Sequence, residues 1–369
     1  MNGIPGHTNS VLDVGLRVGH AGAHAPGALS GTTVLLPPAD DPSGMTAGVD
    51  VRGGGPGTRE TDLLDPRNVV DRVHAVCLSG GSAFGLGAAD GVMAGLSADG
   101  IGLPMGAPGD VVPLVPAAVI FDLGRGGTFG AHPDAETGAA AYRAARDSGG
   151  GSGDGGHGSV ALGCVGAGRG AKAGGFKGGV GTASAVCPDG SIVAALVVCN
   201  SLGEVVAPDG TLHAADLLLP EDLAGRGGGA LRAPEAAELA DSRAAAAQVP
   251  PQPVGRPGLA TTIGIVATDA TLTKAQCAKL AGVGHDGIGI AVRPAHTMLD
   301  GDTLFGLSTA RRDAPGLESF HEILTRASLV VARAVARAVL AAETTETPAG
   351  IWRGYSDAFP SAFTAPDEV

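Results

Sequence analysis

The chain has 369 residues, a formal net charge of −13 and 44% hydrophobic residues. That length supports one large domain or two around a substantial core, and the acidic balance, with no basic stripe or aromatic ladder, excludes nucleic acid as the main partner. With 63 Gly, 25 Pro and only 3% aromatics, the core rests on Val, Leu, Ile and Ala, and backbones approach closely at Gly.

The first residues, MNGIPGHTNSVLDVG, carry no basic n-region or apolar h-region. No run of about 18 apolar residues follows. The expectation is a soluble, cytoplasmic protein with no membrane partner. The five cysteines (Cys77, Cys164, Cys187, Cys199 and Cys277) are odd in number and lack C-x-x-C spacing, which reads as buried reduced thiols. No metal or cofactor is expected.

In chain order, residues 11–19 and 32–37 read as strand and turn material. The Gly-rich segment 48–62 follows, with Gly53, Gly54, Gly55 and Gly57 marking tight backbone geometry or close approach. Residues 73–78 are a buried-strand pattern running into Ser79-Gly80-Gly81-Ser82 and a helix to about Leu96. Strand, Gly-rich turn and helix is the layout of a phosphate cradle, but G-K-[ST] and a spaced G-x-G-x-x-G are both missing. The amides of Gly80, Gly81 and Ser82 could equally bind a carboxylate or build an oxyanion site, and the glycines could simply allow tight packing.

Residues 119–123 read as a short strand, and 133–147 as a helix with Pro133 in its first turn. Residues 148–159 form a flexible loop by composition, with His157 solvated. Residues 191–199 are a fully buried strand ending in a turn at Asn200. The stretch 219–260 is the least structured part, with one Ala-rich helix over 234–248 and then Pro250-Pro251-Gln252-Pro253. Such a loop inside a compact domain is functional or disordered. Thr261, at its end, opens the β-branched strand Thr261-Thr262-Ile263-Gly264-Ile265-Val266. A helix capped by Thr273 follows, then Asp300-Gly301-Asp302, a strand over 304–307, a long helix with an apolar face from Leu317 to Val335, and a loose tail from Thr345. Stacked sheets flanked by helix layers are expected.

Two patterns carry chemistry. A chain cut before Thr261 would place a free amine and a nucleophilic hydroxyl on one residue, and the amine, titrating near about 8, can act as the base. Asp300 and Asp302, two apart in extended backbone, would point the same way, repel, and be equipped to hold or relay a proton. A solvated turn is the bland reading of D-G-D, and a Ca²⁺ loop lacks its remaining ligands.

The ordered set 49–54, 56–61, 79–86, 177–184, Thr261-Thr262-Ile263-Gly264 and Asp300-Gly301-Asp302-Thr303 resembles the self-processing L-aminopeptidase/D-esterases, β-aminopeptidases and nylon-oligomer endohydrolases. The similarity runs from about Asn9 to Ala310. It implies an α+β fold, a four-layer αββα sandwich of the N-terminal-nucleophile type, made as one catalytic domain over 1–369. The precursor would cut itself between Ala260 and Thr261 into an α chain (1–260) and a β chain (261–369), with 219–260 as a flexible loop before the cut. Homo-oligomers of αβ units, tetramers in the family, are implied too, and the 79–86 loop becomes scaffold.

By the same resemblance Thr261 attacks the amide carbonyl, and its amine, steadied by Asp300 and Asp302, takes the proton. Asn200 offers its amide N–H to the oxyanion, and Lys172, with Lys177 as the alternative, stabilises negative charge or orients the aspartates. Two positions depart from the pattern. Ala260 stands where Asn or Gly is common, and Phe121 replaces a Tyr whose hydroxyl is an oxyanion donor, which implies an altered substrate range or lower activity. The substrate expected is a small peptide or amide with a free, cationic amino group. The alternatives are an endo-type amidase of ω-amino-acid oligomers, acyl transfer like that of ornithine acetyltransferases, and an unprocessed non-enzymatic binder.

Overall fold

The computed structural model describes residues 8–148, 159–224, 230–247 and 260–363. Two sheets stack at its centre. One has five strands in the order Arg17–Gly22, Gly31–Leu36, Val76–Ser79, Ala117–Val119, Thr58–Arg59. The other has six, in the order Gly179–Val186, Ile192–Cys199, Ile263–Ala270, Thr303–Arg312, Met45–Val51, Arg72–Val73. Helices α1 (Ala88–Ala98) and α2 (Ala135–Asp147) cover the first sheet. Helix α3 (Ala236–Ala247) precedes the strand Ile263–Ala270, while α4 (Lys274–Ala291) and α5 (Leu317–Leu340) cover the second sheet. The result is the α+β, four-layer αββα arrangement.

Three apolar layers hold it together. Leu35, Leu78, Leu196, Ile265 and Phe305 fill the space between the sheets. Val92, Leu96 and Tyr142 join α1 and α2 to the first sheet; Val197, Val266, Leu280, Ile288 and Val331 join α4 and α5 to the second. Each such fully buried aliphatic side chain contributes about 1.5–3 kcal/mol against exposure. The abundant glycine has a use here. A Cβ on Gly48 would lie 2.2 Å from the Ala278 nitrogen, and one on Gly306 would lie 2.0 Å from the Cys277 oxygen. Only hydrogen at those positions lets α4 sit directly on the sheet. Helix starts follow their caps: Asp134 accepts from Thr137 at α2, and Thr273 from Gln276 at α4.

Several local expectations need correction. Residues 11–14 form a 3₁₀ turn, because Ser10 and Asp13 make a capping box and Gly15, at φ 85°, ends the turn before the strand begins at Arg17. Pro133 precedes the α2 cap at Asp134 and so lies outside the first turn. The strand near 119–123 ends at Val119, so Phe121 sits in the loop beyond it. As far as Phe363, the tail from Thr345 is built in: Thr345–Thr347 pairs with Gly350–Trp352, and Tyr355 and Phe359 are buried against Phe176. Within 219–260, Pro220–Leu223 is a 3₁₀ turn whose Asp222 is buried; residues 225–229 and 248–259, with Pro250-Pro251-Gln252-Pro253, lie outside the described residues, as does His157. Cys77, Cys187, Cys199 and Cys277 are buried free thiols, and Cys164 is half-buried. No helix among the described residues is long and apolar enough to cross a membrane.

Candidate active site

Three neighbouring strands of the six-stranded sheet bring the candidate residues to one end. Ile192–Cys199 runs antiparallel to Ile263–Ala270, with Val198 opposite Ile263. The next pair outward from Val198 and Ile263 is Cys199 and Thr262, and then Asn200 and Thr261; the Thr261 amide donates to the Asn200 carbonyl at 2.7 Å. Thr303–Arg312 runs parallel to Ile263–Ala270 on its other side, with Ile263 opposite Thr303. That pairing places the D-G-D segment beside Ala260 and Thr262. The sheet register thus brings together residues some sixty and forty positions from Thr261 in sequence.

Thr261 is buried, and its Oγ1 donates to the carbonyl oxygen of Ala260. The same oxygen accepts the Gly301 amide at 3.1 Å, and the Ala260 amide donates to Leu299 O at 3.0 Å. Ala260 is therefore held as a short parallel strand against Asp300. Gly301 can come this close because it has no side chain: a Cβ there would lie 2.5 Å from Gly55 O.

The two aspartates have separate partners. Asp300 Oδ2 accepts from the Thr297 amide (2.8 Å) and hydroxyl (2.7 Å), and Oδ1 from the Leu202 amide at 3.4 Å. Asp302 Oδ1 accepts the Thr262 amide at 2.6 Å, while Oδ2 takes the backbone N–H (3.2 Å) and Nδ1 (2.7 Å) of His296. The expectation of two carboxylates side by side is corrected accordingly: each carboxylate is drawn to its own set of donors. Both flank the Ala260–Thr261 segment on its D-G-D side.

Asn200 is fully buried on the other side. Its Oδ1 faces two donors, Arg125 Nη1 at 2.5 Å and the Lys172 amide at 3.1 Å. Neither can accept a hydrogen bond, so the oxygen must point there and Nδ2 away. Among the described residues Nδ2 reaches only the Phe121 carbonyl, at a long 3.4 Å, and so is weakly engaged. Arg125, absent from the sequence reading, also donates to Gly170 O at 2.6 Å; burial pushes its pKa down to about 10, with Asp122 opposing.

The two lysines divide clearly. Lys177 is buried, and its Nζ donates to the carbonyls of Gly168, Ala171 and Gly178 at 3.1–3.2 Å. Burial lowers its pKa to about 8. Lys172 is half-buried, and its Nζ makes no hydrogen bond among the described residues. Its pKa is lowered by burial and by the Arg125 charge, against Glu204. The amides of Gly80, Gly81 and Ser82 are already committed, to Gly31 O (2.9 Å), Asp122 Oδ1 (2.7 Å) and Ile120 O (2.9 Å). They brace the Asp122–Arg125 loop rather than stand ready for an oxyanion. Phe121 meets the site through its carbonyl.

The charges are ordered: cations (Arg125, Lys172) on the Asn200 side, carboxylates (Asp300, Asp302) on the D-G-D side, the Thr261 hydroxyl between. Such a site can stabilise negative charge on a carbonyl oxygen and hold a positive amine. His296 was also missed as a site residue; its position six residues before Asp302 was the available signal. No cluster of three or more His, Cys, Asp or Glu suited to a metal occurs among the described residues. A surface hollow of about 550 Å³, lined by Asp189, Ser191, Thr271, Arg312 and Ser319, lies at the opposite end of the same strands.

The chain is similar to several known proteins. Residues 9–352 match the sequence model of Peptidase family S58. The chain is 43% identical over 371 residues to the uncharacterized aminopeptidase Rv1333 of Mycobacterium tuberculosis, covering 96% of this chain and 99% of that one. It is 30% identical over 299 residues to the 6-aminohexanoate-oligomer endohydrolase of Paenarthrobacter ureafaciens, covering 79% and 73%. A Burkholderia sp. beta-aminopeptidase superposes with a TM-score of 0.67 at 22% identity, covering 97% of this chain and 95% of that one. The L-aminopeptidase D-Ala-esterase/amidase of Ochrobactrum anthropi, a variant of the Ntn-hydrolase fold, gives 0.63 at 22%, covering 96% and 93%.

Proposed function

The chain belongs to Peptidase family S58 and is a hydrolase, and from that premise we propose that it is a self-processing aminopeptidase whose nucleophile is Thr261. The observation that carries this reading is the Thr261 hydroxyl bonded to the Ala260 carbonyl, with the Gly301 amide on the same oxygen. Thr261 Oγ1 adds to the Ala260 carbonyl carbon, and the oxyanion forms against the Gly301 N–H. The hydroxyl proton passes to the Thr261 nitrogen as the C–N bond breaks. An ester between Ala260 and Thr261 Oγ1 results, and water hydrolyses it to an Ala260 carboxylate and a free Thr261 amine.

In turnover that amine is the base for the same hydroxyl. Asp300 and Asp302 hold positive charge on its side, Asn200 Nδ2 turns to the substrate oxyanion, and Lys172 adds positive charge there. A donor of this kind contributes about 3–4 kcal/mol to the transition state. Without a Tyr hydroxyl at Phe121, Asn200 and Lys172 carry more of that stabilisation. The substrates are small amides with a free amino group. A second reading, an endo-type amidase, rests on one fact: the bond held at the nucleophile in the uncut chain is itself internal.

Intact-mass measurement of purified wild-type protein should give two pieces, the smaller running from Thr261 to Val369, and Thr261→Ala should give one folded, inactive chain. Cutting of Thr261→Ala at that bond would overturn the mechanism. Matched free and N-acetylated amino-acid p-nitroanilides separate the two readings, since preference for the blocked substrates favours the endo-acting enzyme.

A further inference from the structure

The ester formed in self-cleavage is chemically an acyl-enzyme, with Ala260 as its acyl residue on Thr261 Oγ1. The place that Ala260 occupies before the cut is therefore one that an acyl group bound to this nucleophile can occupy. Three features define it. Its amide nitrogen donates to Leu299 O at 3.0 Å, its carbonyl oxygen accepts from Gly301 N at 3.1 Å, and its methyl is buried, with the residue only 6% exposed.

Resting on the self-processing reading above, we propose that the seat of Ala260 becomes the acyl-residue subsite of the mature enzyme. Leu299 O holds the substrate amine, and the Gly301 amide meets the substrate carbonyl oxygen from the D-G-D side, opposite Asn200 Nδ2 and Lys172. This assigns a substrate class. Leu299 O and Gly301 N flank Asp300 in the pattern of a parallel ladder, whose spacing fits the nitrogen and carbonyl of one α-amino acid. A β-aminoacyl group is one backbone carbon longer and can reach only one of the two at a time. The buried methyl further limits the side chain. The enzyme accordingly takes small L-α-aminoacyl amides in preference to β-aminoacyl amides. A free ammonium at this position also has the Asp300 carboxylate on the adjoining residue, which an N-acetyl group cannot use.

Two arms test it. On processed wild-type enzyme, kcat/KM is measured for the p-nitroanilides of Gly, L-Ala, L-Val, L-Leu and β-Ala. Separately, self-cleavage rates are measured for Ala260→Gly, Ala260→Val and Ala260→Leu. We expect L-Ala to exceed β-Ala by about tenfold or more, the usual worth of one methylene in a fitted site, and the residue order at position 260 to match the order among substrates. A β-Ala substrate hydrolysed as well as L-Ala, or two rank orders that disagree, overturns the proposal while leaving Thr261 as nucleophile intact. Should a position-260 variant fail to fold, the substrate arm on wild-type protein decides alone. A wild-type chain that neither cuts nor hydrolyses any of these amides refutes the self-processing reading and this inference with it.

Discussion

His296 Nδ1 lies 2.7 Å from Asp302 Oδ2, and Asp302 reaches with its other oxygen to the Thr262 amide, next to Thr261. The histidine thus sets the carboxylate's angle from behind. Burial works against a charge on His296, but the Asp302 hydrogen bond, its negative charge and the His285 carbonyl outweigh that cost, and the pKa stands above its ordinary value. His285 packs edge-on at 4.9 Å, and Arg52 opposes the charge.

A folded-state pKa above the unfolded one means that the charged pair stabilises fully below about 6.5, and that this stability is lost as pH rises through the folded value. The denaturation midpoint of the uncut Thr261→Ala protein should therefore carry a component that falls with rising pH above 6.5. His296→Gln in that background should remove it while keeping a donor to Asp302. His296→Leu leaves a buried carboxylate short of a partner, and in the active enzyme should cost about 1–3 kcal/mol. A pH slope unchanged in His296→Gln would show that the dyad is not ionised.

Toward acid pH two other histidines contribute. Burial pushes His285 down to about 4, its Nε2 paired with the Asp50 carbonyl at 2.9 Å and Nδ1 without a partner among the described residues. His20 is likewise lowered by burial to about 4, beside Thr33. Both stay neutral in the fold where the unfolded chain would be protonated. Their stabilisation is present above about 6.5 and is lost as pH falls toward 4. Replacing His285 by Gln should flatten the loss of stability between pH 6.5 and 4, by roughly 3 kcal/mol at the acid end. A denaturation curve as steep as that of the parent would remove His285 from this role.

Much of this architecture was legible. Thr261 announced itself by an abrupt change from Pro/Gly/Ala-rich chain to β-branched strand, and Thr273, Leu317 and the 191–199 run marked their elements through capping and periodicity. What could not be read were contacts set by sheet register. Arg125 meets Asn200 only because Asp122 and Gly81 fold the loop after Ala117–Val119 back toward the Asn200 turn. The D-G-D segment looked like two cooperating carboxylates, yet its glycine amide bonds the Ala260 carbonyl while Asp300 and Asp302 turn to different donors. The residues after Thr345 looked loose because aromatic packing of Tyr355 and Phe359 on Phe176 is a long-range property without a local period.

The two chains expected after cutting are tied by a buried ion cluster. Asp222, before Thr261 in the chain and with its side chain wholly buried, meets Arg333 Nε at 3.4 Å and Arg337 Nε at 3.1 Å, both after it. Asn9 Nδ2 donates to the same carboxylate at 2.7 Å. Removing the anion strands two buried guanidinium groups, so Asp222→Ala should lose about 3–5 kcal/mol of stability. Denaturant unfolding of the Thr261→Ala protein measures that loss without the complication of cutting. In the processed enzyme the same substitution should let the pieces separate on gel filtration at lower denaturant. Unaltered midpoints in both would reduce the cluster to an energetically neutral pair.

The two lysines allow a sharp separation of structural from chemical roles. Lys177 spends its ammonium on three backbone carbonyls around the Gly168–Gly178 turn, and Lys172 spends only its backbone amide, on Asn200 Oδ1. Lys177→Met would leave those carbonyls buried without their donor, at about 1–3 kcal/mol for each one not otherwise satisfied, and should show as a lowered melting temperature and poor recovery of folded protein. Lys172→Met keeps the backbone amide and the apolar stem, so the fold should survive within about 0.5 kcal/mol. If its ammonium serves the oxyanion, kcat should fall at least about tenfold with the melting temperature unchanged, since a charged donor in such a site is worth more than 1.4 kcal/mol. The opposite pattern, a stable and inactive Lys177→Met beside a fully active Lys172→Met, would transfer the catalytic charge to Lys177. That outcome would require its ammonium to leave the three carbonyls during turnover.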